Sequence, residues 1–283
     1  MEKQPINFKQ ERDFNGLISH TFDFIKQEFK PLGKALLTYA GPFVLVTAFL
    51  AAMYQSGLYS DPDTFNNNNP LKMFENIYSP KYFFFILGSI VSNAILMLVV
   101  YNYVLLYVTK GKDGFEQEEI WKSVIQNFAP VFLMIIAISF IIGFGTLLFI
   151  IPGIYLAIAF SLVIFAKINE NLSFNESMSR SMYLIKDSWW FTFGVLIVIY
   201  LIATFAGSIF LIPQMGLTMF YTFSLASGDF EGPSMFFTIV TVIGTFASTL
   251  IYSIIYITTA FLYYSQVEKK EKPNLMNKID DIE

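Results

Sequence analysis

Five stretches of this chain contain no Asp, Glu, Lys or Arg: residues 35–60, 82–109, 123–166, 188–228 and 232–267. Together they make up 175 of the 283 residues. A helix needs only about 20 consecutive apolar residues to cross the hydrocarbon layer of a bilayer. Charged residues make up 14% of the sequence, against roughly 25% for an average soluble domain. The missing surface charge and the length of the apolar runs predict an all-α, polytopic membrane protein.

The first two intervals are long enough for one span each, and the 44-residue third is long enough for two. Ile151-Pro152-Gly153 interrupts that third interval. Pro removes a backbone donor and Gly permits a sharp turn, so Pro152 and Gly153 predict a hairpin turn at the far interface. Pro213 closes the fifth span, leaving Gln214–Gly228 either on the outer surface or dipping back into the bilayer. The predicted spans are residues 35–54, 82–108, 130–150, 154–168, 189–212 and 235–264. They form a six-helix transmembrane domain over 35–264, between an N-terminal segment 1–34 and a tail 265–283. With six spans, 16 Lys and Arg fall on one side, and Lys72 and Lys81 fall on the other. Basic residues stay in the cytoplasm, so both termini are expected there. No cleavable leader is visible, and the first span, from Ala35, serves as its own targeting signal.

The three segments entering the hairpins share a physical pattern. Phe14, Leu17, Ile18, Phe22, Ile25 and Phe29 recur at helical spacing in the first. Ile120, Trp121, Val124, Ile125 and Phe128 do so in the second, and Phe174, Met178, Met182 and Ile185 in the third. Such stripes suit amphipathic helices lying at a membrane interface. Ser173-x-x-Glu176 reads as a capping box. The fold expected is therefore three transmembrane hairpins, each preceded by a cytoplasmic interfacial helix, with an internal threefold repeat.

Candidate chemistry is sparse. Without Cys, no disulfide, thiolate nucleophile or cluster ligand is possible. His20 is the only histidine, and no further ligands are spaced to join it at a metal. No cofactor is expected. Glu116, Glu118 and Glu119 suit the start of a helix dipole better than acid–base work. Among polar residues inside spans, Asn93 and Asn102 stand out. They either hydrogen-bond neighbouring helices or face a substrate. Net charge is −4 and no basic block faces a nucleic acid. Lys167, Glu170, Glu176, Arg180, Lys186 and Asp187 form the most prominent cytoplasmic cluster, with Arg180 four residues from Glu176 and able to pair with it. Glu170, Glu176, Arg180 and Lys186 are candidate contacts for a partner or an anionic headgroup.

Around this cluster the sequence resembles a known pattern. Ile151-Pro152-Gly153-Ile154-Tyr155-Leu156, then Glu170, then Glu176-Ser177-x-x-Arg180-Ser181-x-x-Leu184, then Trp189-Trp190, is similar to the membrane domain of the bacterial glycerophosphoryl diester phosphodiesterase family. The detailed likeness covers residues 120–200. It implies a six-span bacterial inner-membrane protein. The family's activity belongs to a separate soluble domain, so no phosphodiesterase residues carry over.

The expectation is a non-enzymatic inner-membrane protein, an accessory or scaffold subunit of a membrane assembly. Its expected partners are membrane lipids and either a membrane protein or a second copy of itself, not nucleic acid. The rival expectation is a transporter or lipid-handling protein with an uncharged polar route.

Overall fold

The computed structural model describes residues 5–60, 75–227 and 233–272. Asn66–Asn69, Lys72, Gly228 and the tail beyond Lys272 lie outside the described residues. In chain order the helices are α1 (Phe14–Gln27), α2 (Phe29–Ala35), α3 (Gly41–Ser60), α4 (Pro80–Lys110), α5 (Gln117–Leu148) and α6 (Ile150–Ala159). They continue with α7 (Val163–Glu170), α8 (Phe174–Ile185), α9 (Trp189–Ser227), α10 (Met235–Ile251) and α11 (Ser253–Glu271). Six helical stretches are long and apolar enough to cross a membrane. The chain is an all-α, multi-pass membrane protein.

Packing divides it into two compact units. One contains Leu37–Leu96 and Ala203–Tyr252. There α3 lies against α10, and glycine lets α9 and α10 approach closely. A Cβ on Gly244 would stand 2.7 Å from the Phe210 carbonyl oxygen, and one on Gly207 3.5 Å from Ser248. Gln214 donates to the Gln55 side chain at 2.6 Å. Pro213 lies inside α9, so Gln214–Ser227 continues that helix.

The other unit gathers the described residues up to Leu36, Met97–Ile202 and the chain from Ser253. Packing thus does not divide the chain into three consecutive repeats. Its centre is the second half of α4, where every residue from Met97 to Val104 is buried, as expected of a helix apolar all round. Phe8, from the segment before α1, stacks on Phe261 with ring centroids 3.9 Å apart and meets Phe24 edge-on at 5.1 Å. The buried face of α1 is Leu17, Thr21 and Phe24, with Thr21 hydrogen-bonded to Thr258 of α11 at 3.1 Å. Phe14, Ile18, Phe22 and Ile25 of the expected stripe stay only half-covered, and Phe29 is exposed.

The hairpin differs from expectation in two respects. Its reversal is at Phe149, in extended conformation between α5 and α6, three residues before Pro152. Pro152 instead occupies the first turn of α6, where a missing N–H costs nothing. Gly153 supplies close approach rather than a turn, since its Cβ would stand 2.7 Å from the Thr146 Cα. The returning arm then breaks between α6 and α7. Ser181 bridges the break, accepting from the Leu162 amide at 3.2 Å and donating to the Ala159 carbonyl at 2.7 Å. The tail expected from 265 is helical as far as Glu271, because α11 runs through it.

Candidate functional site

The polar groups singled out in the sequence converge where α7, α8 and α11 meet. Asn171, in the left-handed conformation at φ 53°, ends α7, and the chain re-enters a helix at Ser173. The Ser173–Glu176 capping box forms as the spacing predicts: Glu176 accepts from the Ser173 amide at 2.8 Å and its hydroxyl at 2.6 Å. That commits Glu176 to the cap, so the expected Arg180–Glu176 pair does not form. Arg180 instead donates from Nε to Glu170 at 2.9 Å, and its two Nη atoms grip both carboxylate oxygens of Glu271. Tyr263 donates to the same Glu170 oxygen, and Tyr264 donates to Asn169 at 2.6 Å. Arg180 and Glu170 are thus partly covered and tie three helices together, rather than forming a solvated contact face.

Other candidates are committed in the same way. Asp187 pairs with Lys270 at 3.0 Å. Glu119 pairs with Lys110 and accepts from the Glu116 amide, capping α5. A His20 ring nitrogen lies 2.7 Å from the Gly16 carbonyl. Asn93 and Asn102 each donate to the carbonyl four residues back, at 2.8 Å, and so bond within their own helix rather than to a neighbour. Among the described residues, no group of three or more His, Asp or Glu could hold a metal.

Among the described residues, the ionisable side chains of Glu28, Arg12 and Glu268 are buried and lie outside the predicted set. Glu28, fully buried between α1 and α2, accepts from the Tyr103 hydroxyl at 2.6 Å. Its second oxygen has no partner, and burial raises its carboxyl above the usual carboxylate range. Arg12 donates to the Phe8 and Gln10 carbonyls at 2.9 and 3.1 Å and sits 4.9 Å from the Phe261 ring. Burial lowers its pKa to about 10, so it stays cationic at neutral pH.

The one expected contact residue left open is Lys186. It stands at the edge of a groove of about 720 Å³ formed by α6, the turn before α9, the start of α9 and Lys269. This volume lies within the range of ligand pockets, roughly 300–1,000 Å³. Tyr155 stacks on Trp189 at 5.8 Å, with the planes 15° apart, and accepts from the indole N–H at 3.3 Å. Ile151, Ile154 and Phe193 continue the apolar wall. The hairpin turn therefore lies beside the charged segment, about 9 Å along α6 from Tyr155.

Lys269, 5.9 Å from the Phe191 ring, also borders a smaller recess with Glu11, Asp13 and Gln266. Nothing in the local pattern signals that α11 brings Lys269 to the tryptophans of the groove. The groove can hold an elongated amphiphile; of the polar groups on its wall, Ser188 donates to Gln266 at 2.7 Å and Asp187 pairs with Lys270. Comparison of the chain with protein-family models, curated proteins and solved structures returns no match.

Proposed function

We propose that this protein acts by binding rather than by turnover, as an accessory or scaffold subunit of a membrane assembly. The observation that carries this reading is the use of its polar side chains. Glu170, Glu176, Arg180, Asp187 and Glu119 are all engaged in caps and ties within the fold. An enzyme site needs titratable groups aimed at a shared reacting atom, whereas Asp187 and Ser188 of the groove are held by Lys270 and Gln266, beside an aromatic wall with lysines at its edge. The distribution of Lys and Arg supports a cytoplasmic location for both termini. The motif over 120–200 supports a bacterial inner membrane and kinship with the phosphodiesterase membrane domains.

The groove favours a second reading, a lipid-handling protein. Purified protein in vesicles tests both. The scaffold reading expects neither hydrolysis of phosphodiester lipids nor lipid transfer between leaflets. Turnover by the isolated chain would overturn it, and transfer without turnover would favour the second reading.

A further inference from the structure

The groove and the recess beside it share Phe191 and Lys269, so an apolar groove and a polar pocket adjoin at a lysine. We infer that together they form a binding site for one phospholipid with an amine-bearing headgroup. An acyl chain lies along Ile151, Ile154, Trp190 and Phe193. Ile151 is 81% exposed and Trp190 77% exposed, so this wall opens onto the lipid phase.

The phosphate is held by Lys186 and Lys269, neither of which forms a salt bridge among the described residues; Asp187 lines the same groove and feels both lysines, but its carboxylate is held chiefly by Lys270. The third cation nearby, Lys270, is taken by Asp187 and the Tyr183 carbonyl, and Arg12 by backbone carbonyls. Beyond the phosphate the recess presents Glu11, Asp13 and Gln266, with Ser265 and the buried Arg12 behind them. Asp13 caps α1, accepting from the Gly16 amide at 2.9 Å, which leaves Glu11 as the carboxylate to meet an ammonium group. Lysines followed by a carboxylate match a phosphate followed by an amine. An anionic glycerol headgroup would bring its hydroxyls to the same carboxylate without a compensating charge.

The inference deepens the binding reading, and the two fail separately. Turnover in vesicles defeats that reading, whereas indifference to the headgroup defeats only this site. Trp121, Trp189 and Trp190 are the only tryptophans, so Trp121→Phe confines the emission to the groove. The full-length variant is purified in detergent and titrated with lipids brominated on the acyl chain. Phosphatidylethanolamine is expected to quench at lower mole fraction than phosphatidylglycerol, and both at much lower fraction than diacylglycerol, which lacks the phosphate. Lys186→Gln and Lys269→Gln should each weaken phosphatidylethanolamine quenching about fivefold, while the Arg replacements retain it. Glu11→Gln should abolish the preference for ethanolamine. Equal quenching by diacylglycerol and phosphatidylethanolamine would overturn the site. Stronger quenching by phosphatidylglycerol would overturn the headgroup assignment.

Discussion

Replacing Arg180 with Met removes the side chain that joins α7, α8 and α11 while keeping most of its apolar stem. Arg180 spans two carboxylates, Glu170 at 2.9 Å and Glu271 through both Nη atoms. The side chains are partly covered, with 19% of Arg180, 27% of Glu170 and 34% of Glu271 exposed. Breaking a fully buried ion pair costs about 3–5 kcal/mol, and losing an exposed one about 0.2–1. Discounted for screening, Arg180→Met should cost about 2 kcal/mol. Arg180→Lys should recover less than half of this, because an ammonium cannot reproduce the two-pronged grip. The assay is reversible unfolding of the purified protein in mixed micelles, followed by far-UV circular dichroism. A double-mutant cycle with Glu271→Gln should give a coupling of about 1 kcal/mol or more. A loss below about 0.5 kcal/mol, typical of an unremarkable surface change, would refute the claim that this tie organises the unit.

Three further perturbations address other parts of the same unit. Gly153→Ala should destabilise by about 1–3 kcal/mol, and Thr146→Ala should not rescue it, because the clash includes the Thr146 backbone at 2.7 Å; unfolding of the double variant checks this. Phe8→Ala should cost about 3–5 kcal/mol by opening the ring stack with Phe261, seen as an earlier thermal transition. The raised carboxyl of Glu28 favours folding only below the carboxylate range of the unfolded chain, and that stability is lost as pH rises through its folded value. Glu28→Gln should therefore match the wild type in acid and exceed it in stability above neutrality, as unfolding at several pH values would show.

Hydropathy made the number of long apolar helices legible, because desolvated charge is costly and the intervals exclude it. The Ser173–Glu176 cap was legible because a capping box is local. What escaped the sequence was mostly contact at long range. Arg180 had Glu176 four residues away, yet its partners are Glu170 and Glu271, the latter 91 positions along the chain. Glu176 was already held by the cap it forms. Phe8 lies in a segment without periodicity, and rings from α1, α4 and α11 together make it a core residue. The hairpin shows a different limit. Hydropathy reads length and polarity but not direction, so it could not show that Tyr155 lies against Trp189. Nor could it show the groove, whose lining comes from three separate parts of the chain.

The most direct test of the binding account is extraction of the full-length protein with its surrounding native lipid, followed by quantitative mass spectrometry of everything retained. The account predicts a second membrane protein, or a second copy of this chain, at fixed stoichiometry. Recovery of the chain as a solitary monomer, at every extraction mild enough to keep bound lipid, would contradict it.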